Sequence, residues 1–452
     1  MMNPTRMLFG CVLACGLALG TAHAQEPQTT AATPDPTRAY SLAANVTRQV
    51  LPNGLTVLIK EQHETRTVSI DLVSRVGQAQ EDGSDAGITN LVGRALQRRV
   101  TNGDGKADDN LVEMTGSVMR FNVTPDLTEV SVDTTADHYR PLFARTLQAY
   151  QTRQFKGEEL DFVRNQLIHD LEGEQRVFTA IYDIFLENFY RYHPYRAPQE
   201  GNADAIRHLS LSNFNKFYDR YYVPNHTVLA VVGDVNSADV MAEASAELGK
   251  LPEVQETVKI VHWEPVGTEK ELQLSAGSNL AWIFLGYPAP GVSSPDYAAM
   301  RVMHAMMGEG VSSRLWVDLR EENGLAYELG SLYPVLEGPG HFLSYIITTP
   351  AQLRQARRGM FAEMDRLRKE DVGPHELEQA RWKVIGAALL QQETTAGKAS
   401  TLATSEAQGV GYHFPDQFIA AVRNVTTVDV RTVANRYLDK YTLIVARPPG
   451  AL

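Results

Sequence analysis

The 452-residue chain carries 54 acidic against 42 basic side chains, a formal net charge of −12. No basic stripe runs through it, which argues against nucleic acid or an anionic membrane surface as a partner. Its two cysteines, Cys11 and Cys15, both stand in the first 24 residues, so the remainder has no disulfide and no thiolate metal site.

The N-terminus reads as a secretory signal over residues 1–24: Arg6, an apolar run from Met7 to Gly20, then Ala22-His23-Ala24. This predicts export to a periplasm with a mature start near Gln25. Val12-Leu13-Ala14-Cys15 offers lipoprotein processing as an alternative. Residues 25–43, rich in Pro, Thr, Ala and Gln, predict a disordered leader. No later stretch reaches the roughly 18–20 continuous apolar residues of a membrane helix.

Order is expected to begin with Thr47 to Lys60, two apolar strands joined by the Asn53-Gly54 turn. Val68–Val76 alternates as a third strand, and a helix follows over Ala86–Arg99. Thr101–Asp109 lacks the acidic ladder and closing Glu of a calcium loop and reads as a polar surface loop. Strands are predicted around Met119–Val123 and Thr128–Asp133. Helices follow at Tyr139–Gln151, Gly157–Glu174, Phe178–Tyr190 and Leu209–Tyr222, then a buried strand at Thr227–Asp234.

The second half repeats this material. Leu209–Tyr221 aligns without gaps to Val425–Tyr437, an offset of 216; Glu159, Leu160, Arg164 and Ile168 map to Glu376, Leu377, Arg381 and Ile385 at 217; Thr134-Thr135 map to Thr348-Thr349 at 214. One nearly constant long period is the mark of a duplicated globular domain. The expected architecture is α+β: two homologous domains of about 210 residues, each a mixed, largely antiparallel sheet flanked by helices. The boundaries are 44–250 and 267–448, joined by a polar linker at 251–266.

Several stretches resemble the insulinase, or pitrilysin, family of zinc peptidases, in particular its two-domain bacterial members related to the mitochondrial processing peptidases. They are Leu51-Pro-Asn-Gly-Leu-Thr-Val57, the Gly87 helix, His193-Pro-Tyr195 with Gly201, Tyr221 to Asn225 with Val231 to Asp234, and Ser312 to Tyr327. They follow the family's order over nearly the whole mature chain. The family carries His-x-x-Glu-His on the Gly87 helix and a further Glu ligand downstream. Here the two His positions are Asn90 and Arg94 and the Glu position is Gly93, while Asp170, Leu171 and Glu172 stand near the third ligand. An amide, a glycine and a guanidinium make neither a zinc site nor a base, and no two histidines lie closer than fifteen residues in sequence. Arg94 is expected to replace the cation by pairing with Asp170 or Glu172.

The family's second constellation is intact. An Arg and a Tyr of the C-terminal domain reach the zinc site there, and Arg320 and Tyr327 match them in type and seven-residue spacing. Ser313–Glu322 reads as a helix, Asn323-Gly324 as its stop and Tyr327–Tyr333 as a strand. Gly308, Gly310 and Ser312, just before the helix, are candidate substrate-binding positions.

The resemblance implies a non-catalytic subunit of a heterodimeric periplasmic zinc peptidase. No cofactor is expected on this chain, zinc belongs to a homologous partner with an intact motif, and peptides are the substrate. The alternative is a peptide-binding or scaffolding pseudo-peptidase with no catalytic partner.

Overall fold

A computed structural model describes residues 41–102, 110–173, 177–198, 200–254, 270–275 and 277–449. The signal, leader residues 25–40, loop residues 103–109 and most of the linker lie outside them. From Leu42 onward the described residues belong to one compact unit. Leu42 and Ala43, at the end of the expected leader, are buried, and their N–H groups donate to the Asp416 carboxylate at 2.9 and 3.2 Å.

The first half supplies β1 (Val46–Val50), β2 (Thr56–Glu61), β3 (Thr67–Ser74), β4 (Val118–Val123), β5 (Thr128–Thr135) and β6 (Thr227–Gly233), bonded in the order β1-β2-β6-β3-β5-β4. The second supplies β7 (Lys270–Ser275), β8 (Ala281–Ala289), β9 (Glu328–Leu332), β10 (Gly340–Thr348) and β11 (Thr442–Arg447), in the order β7-β11-β8-β10-β9. With β1 set aside, the orders coincide strand for strand: β2 with β7, β6 with β11, β3 with β8, β5 with β10, β4 with β9. The parallel pairing recurs too, β2 with β6 and β7 with β11, the other pairings being antiparallel. The fold is the expected α+β duplication.

Alternation along the strands sends residues to two different cores. In β6, Leu229 and Val231 face the helices of their own half, while Val228, Ala230 and Val232 face the other way. What covers that second face comes from the opposite half: helix Thr395–Ala407 lays Ala399, Leu402 and Ala403 on the first sheet. Reciprocally, helix Val177–Tyr190 lays Ile181, Phe185, Leu186 and Phe189 on Trp282, Phe284, Leu343 and Ile444 of the second. A Cβ at Gly286 of β8 would stand 2.2 Å from the Phe185 ring, so glycine there admits the helix.

Polar bolts also join the halves. Arg75 forks onto Glu337 with contacts of 2.6 and 2.9 Å. The buried Asp126 carboxylate accepts from the Tyr195 hydroxyl and from the Glu337 N–H, the latter at 2.9 Å. This is where His193-Pro-Tyr195 acts: the His193 ring accepts the Tyr195 N–H at 3.2 Å and fixes the tyrosine.

Candidate functional site

The motif helix, Ile88–Asn102, buries Ile88, Leu91, Val92, Ala95, Leu96 and Val100 against the first sheet. Its start is anchored by Glu81, whose carboxylate accepts the Gly87 N–H at 2.8 Å, the Thr89 N–H at 3.0 Å and the Thr89 hydroxyl. An acid placed at a helix start satisfies donors that the helix leaves open and complements its dipole. Burial nevertheless raises the Glu81 pKa above the ordinary carboxylate value. Gly87 (φ +104°) and Gly201 (φ +100°) pass so closely that a Cβ at Gly201 would stand 2.5 Å from the Gly87 Cα. Both family glycines are therefore required where this loop meets the helix.

At the motif positions, Asn90 and Arg94 are half-buried and Gly93 is buried. A Cβ on Gly93 would lie 2.6 Å from the Phe121 ring, so β4 fills the room where a glutamate base would stand. Arg94 donates from Nη2 to Asp170 Oδ2 at 2.8 Å, with its guanidinium 5.7 Å from the Phe121 centroid. The pairing therefore goes to Asp170; Glu172, the other candidate, pairs with Arg207. These residues do not fit zinc: the guanidinium takes one of the two acids that stand near the third ligand position. Among the described residues, no group of three or more His, Cys, Asp or Glu side chains is arranged to hold a metal.

Beside this pair opens a cavity of about 840 Å³ whose walls include Asp170, Asp183, Glu200 and Asp204 with Phe178 and Tyr182. Burial, with Glu200 adding repulsion, pushes the Asp183 carboxyl up to about 6.

The Arg/Tyr segment lies in the second half. The expected helix begins at Arg314 and widens into a π-helical stretch over Trp316–Glu322, a form found mostly as single turns and often at functional sites. Arg320 stacks 4.3 Å above the Trp316 ring, which fixes the guanidinium without using its N–H donors. Gly324 (φ +59°) ends the turn as anticipated. Tyr327 follows, a residue 72% exposed, while its N–H donates to the Ile347 carbonyl at 2.8 Å. It thus leads into β9, an outermost strand of the second sheet.

The three candidate substrate-binding positions separate. Gly308 is buried where a Cβ would stand 2.4 Å from Ser331 Oγ, so packing alone demands it. Gly310 is exposed at φ +73°, and Ser312 is exposed. Phe121, Glu81 and Trp316 went unnoticed in the sequence. Only Trp316 left a usable trace, four residues before Arg320 on one helix.

A family model described as "Peptidase M16 inactive domain" matches residues 208–384. A curated relative, the zinc protease PqqE of Helicobacter pylori, is 24% identical over 404 residues, 86% of this chain and 89% of its own length. An uncharacterized zinc protease of Streptomyces coelicolor is 22% identical over 414 residues, 87% of this chain and 88% of its own length. Among solved structures, a protease from Helicobacter pylori is similar at TM-score 0.80 and 21% identity, over 89% of this chain and 99% of that one. A peptidase M16 inactive domain from Pseudomonas fluorescens is similar at TM-score 0.79 and 22% identity, over 89% and 98%. These matches, together with the shared sheet order, support an insulinase-family, inactive-type member; the family model covers residues 208–384, and the motif positions on the Gly87 helix lie outside it.

Proposed function

We propose that this chain is the zinc-less subunit of a heterodimeric peptidase, exported to the periplasm by its N-terminal signal, in which Arg320 and Tyr327 complete the zinc site of a homologous partner. The observation that carries this reading is a contrast. The metal positions are closed from within by Arg94–Asp170 and by Phe121 over Gly93, whereas Tyr327 is 72% exposed. In this reading zinc and the general base belong to the partner. Arg320 supplies a permanent planar donor and Tyr327 a neutral hydroxyl, both suited to a carbonyl oxygen that gains negative charge as a peptide bond is attacked. The peptide is held by strand addition to an open sheet edge, where main-chain hydrogen bonds need no particular sequence.

The test is co-expression with a chain of the same family that carries an intact His-x-x-Glu-His motif. A stable pair should form, with zinc in the motif-bearing chain alone, and peptide hydrolysis should need both chains. A partner fully active by itself, or a chain that only self-associates, would overturn the proposal and leave the scaffolding alternative.

A further inference from the structure

The duplication gives the degenerate metal site a counterpart. Arg94 and Asp170 stand on helices Ile88–Asn102 and Gly157–Glu172; the equivalent helices of the second half are Tyr297–Gly308 and Pro374–Gln391. Between this second pair lies not an ion pair but a cavity of about 200 Å³. Tyr297, Arg301 and His304 line it at i, i+4 and i+7, one face of a helix. Ala387, Ala388 and Gln391 line it from the facing helix, Phe414 and Phe418 close one side, and Glu309 belongs to the loop beyond.

Amides and hydroxyls of Gln391, Gln392, Thr401, Thr404, Ser405 and Gln408 line part of this cavity, and at its Glu309 end two acceptors face each other. His304 is buried, and its Nε2 stands 3.2 Å from the Ser331 carbonyl oxygen, which can only accept, so Nε2 carries the proton. Burial pushes the ring down to about 4, which keeps it neutral and leaves Nδ1 as a bare acceptor. Nδ1 faces Glu309 Oε1 at 3.7 Å, and the Glu309 side chain is 45% exposed against 7% for His304. Two acceptors at that separation call for a donor with more than one proton. The neighbouring cations do not supply it: Lys383 Nζ donates to the Glu309 backbone carbonyl at 2.6 Å, and Arg301 donates from Nη1 to the Tyr333 carbonyl at 2.7 Å. Arg301 lies one helical turn from His304 on the same helix face and lines the same cavity.

We infer that this cavity binds the α-ammonium group of an apolar amino acid unit, seated between His304 Nδ1 and the Glu309 carboxylate, with the carbonyl or carboxylate end toward Arg301 and the side chain against Tyr297, Phe414 and Phe418. The volume lies below the ~300 Å³ at which drug-sized ligands begin, so it takes one residue and not an extended peptide. The source is a free amino acid or the first residue of a peptide. The inference concerns a site apart from Arg320 and Tyr327 and stands whether or not a catalytic partner exists.

The experiment is calorimetric titration of the full mature chain with L-phenylalanine, the dipeptide Phe-Ala and N-acetyl-L-phenylalanine, each to ~10 mM, a range that detects Kd values near 1 mM. Saturable binding of L-phenylalanine or Phe-Ala is expected, with the acetylated compound at least ~10-fold weaker because it lacks the ammonium. Phenylalanine alone would assign the site to a free amino acid; binding of both would assign it to a peptide N-terminus. The exposed Glu309 allows a variant that folds: Glu309→Gln should weaken binding at least ~10-fold, and Ala388→Phe should abolish it by filling the cavity. No binding by either amine, equal binding of the acetylated compound, or unchanged binding to Glu309→Gln would overturn the inference.

Discussion

Gly93 and Phe121 show how completely the catalytic base has been excluded. Any side chain at 93 must displace the ring, since even a Cβ would come within 2.6 Å of it. Gly93→Ala should therefore lower stability by about 1–3 kcal/mol. That loss should disappear in a Phe121→Ala background, as coupled neighbours do in a double-mutant cycle; urea denaturation of the four proteins measures it, and additive losses would contradict the contact. The degenerate positions themselves were legible because a helix fixes them by spacing. Phe121 was not, because it arrives on a strand whose place in the sheet no local pattern states. Nor was Asp71: alternation in β3 marks Ser69 and Asp71 as an outer face, yet they are 2% and 1% exposed beneath helix Thr395–Ala407. Burial beside Glu129 and Asp133 raises the Asp71 carboxyl well above its ordinary range.

A buried histidine sets the acid limit at the same scale. His341 lies between the hydroxyls of Tyr182 at 2.9 Å and Tyr190 at 2.8 Å, and burial pushes it down from 6.5 to about 3. The folded state then refuses a proton that the unfolded chain binds. Its stabilising contribution is whole above pH ~6.5 and lost as pH falls toward 3, by up to ~1.4 kcal/mol per pH unit. Asp183, raised to about 6, acts with the opposite sign between its unfolded value and 6. His341→Gln should flatten the stability profile between pH 6 and 4 by about one proton's slope, ~1.4 kcal/mol per unit. A slope equal to that of the parent would contradict this role.

At the scale of elements, the exchanged helices decide whether two similar halves become one molecule. Helix Val177–Tyr190 is apolar on nearly every side, which its sequence announces as a buried helix. Its burying surface was hidden, because the partner strands begin some hundred residues later, at Ala281. Helix Thr395–Ala407 is small-residue rich and approaches its sheet through alanines, with Ser400 donating to Glu129 at 2.5 Å. Phe185 is fully buried against the second sheet. Phe185→Ala should cost about 3–5 kcal/mol, the range for a buried aromatic truncated in place, and thermal unfolding would report it. A loss below ~1 kcal/mol would mean that the helix is dispensable to the joint.

For the whole molecule, the repeat read from three sequence matches anticipated the shared strand order, because homologous halves keep topology even where identity is sparse. The crossing of helices between halves was not legible, since a repeat gives two copies and says nothing about how each completes the other. The central claim concerns one half only: Arg320 stacked on Trp316 and the exposed Tyr327 act on a substrate bound at a partner's zinc. The most direct test uses the reconstituted pair with Arg320→Ala or Tyr327→Phe in this chain. Turnover should fall by ~10²–10³, the usual cost of losing an oxyanion donor, while assembly of the pair and the partner's zinc content stay unchanged. Full turnover by either variant in an intact pair would contradict the account.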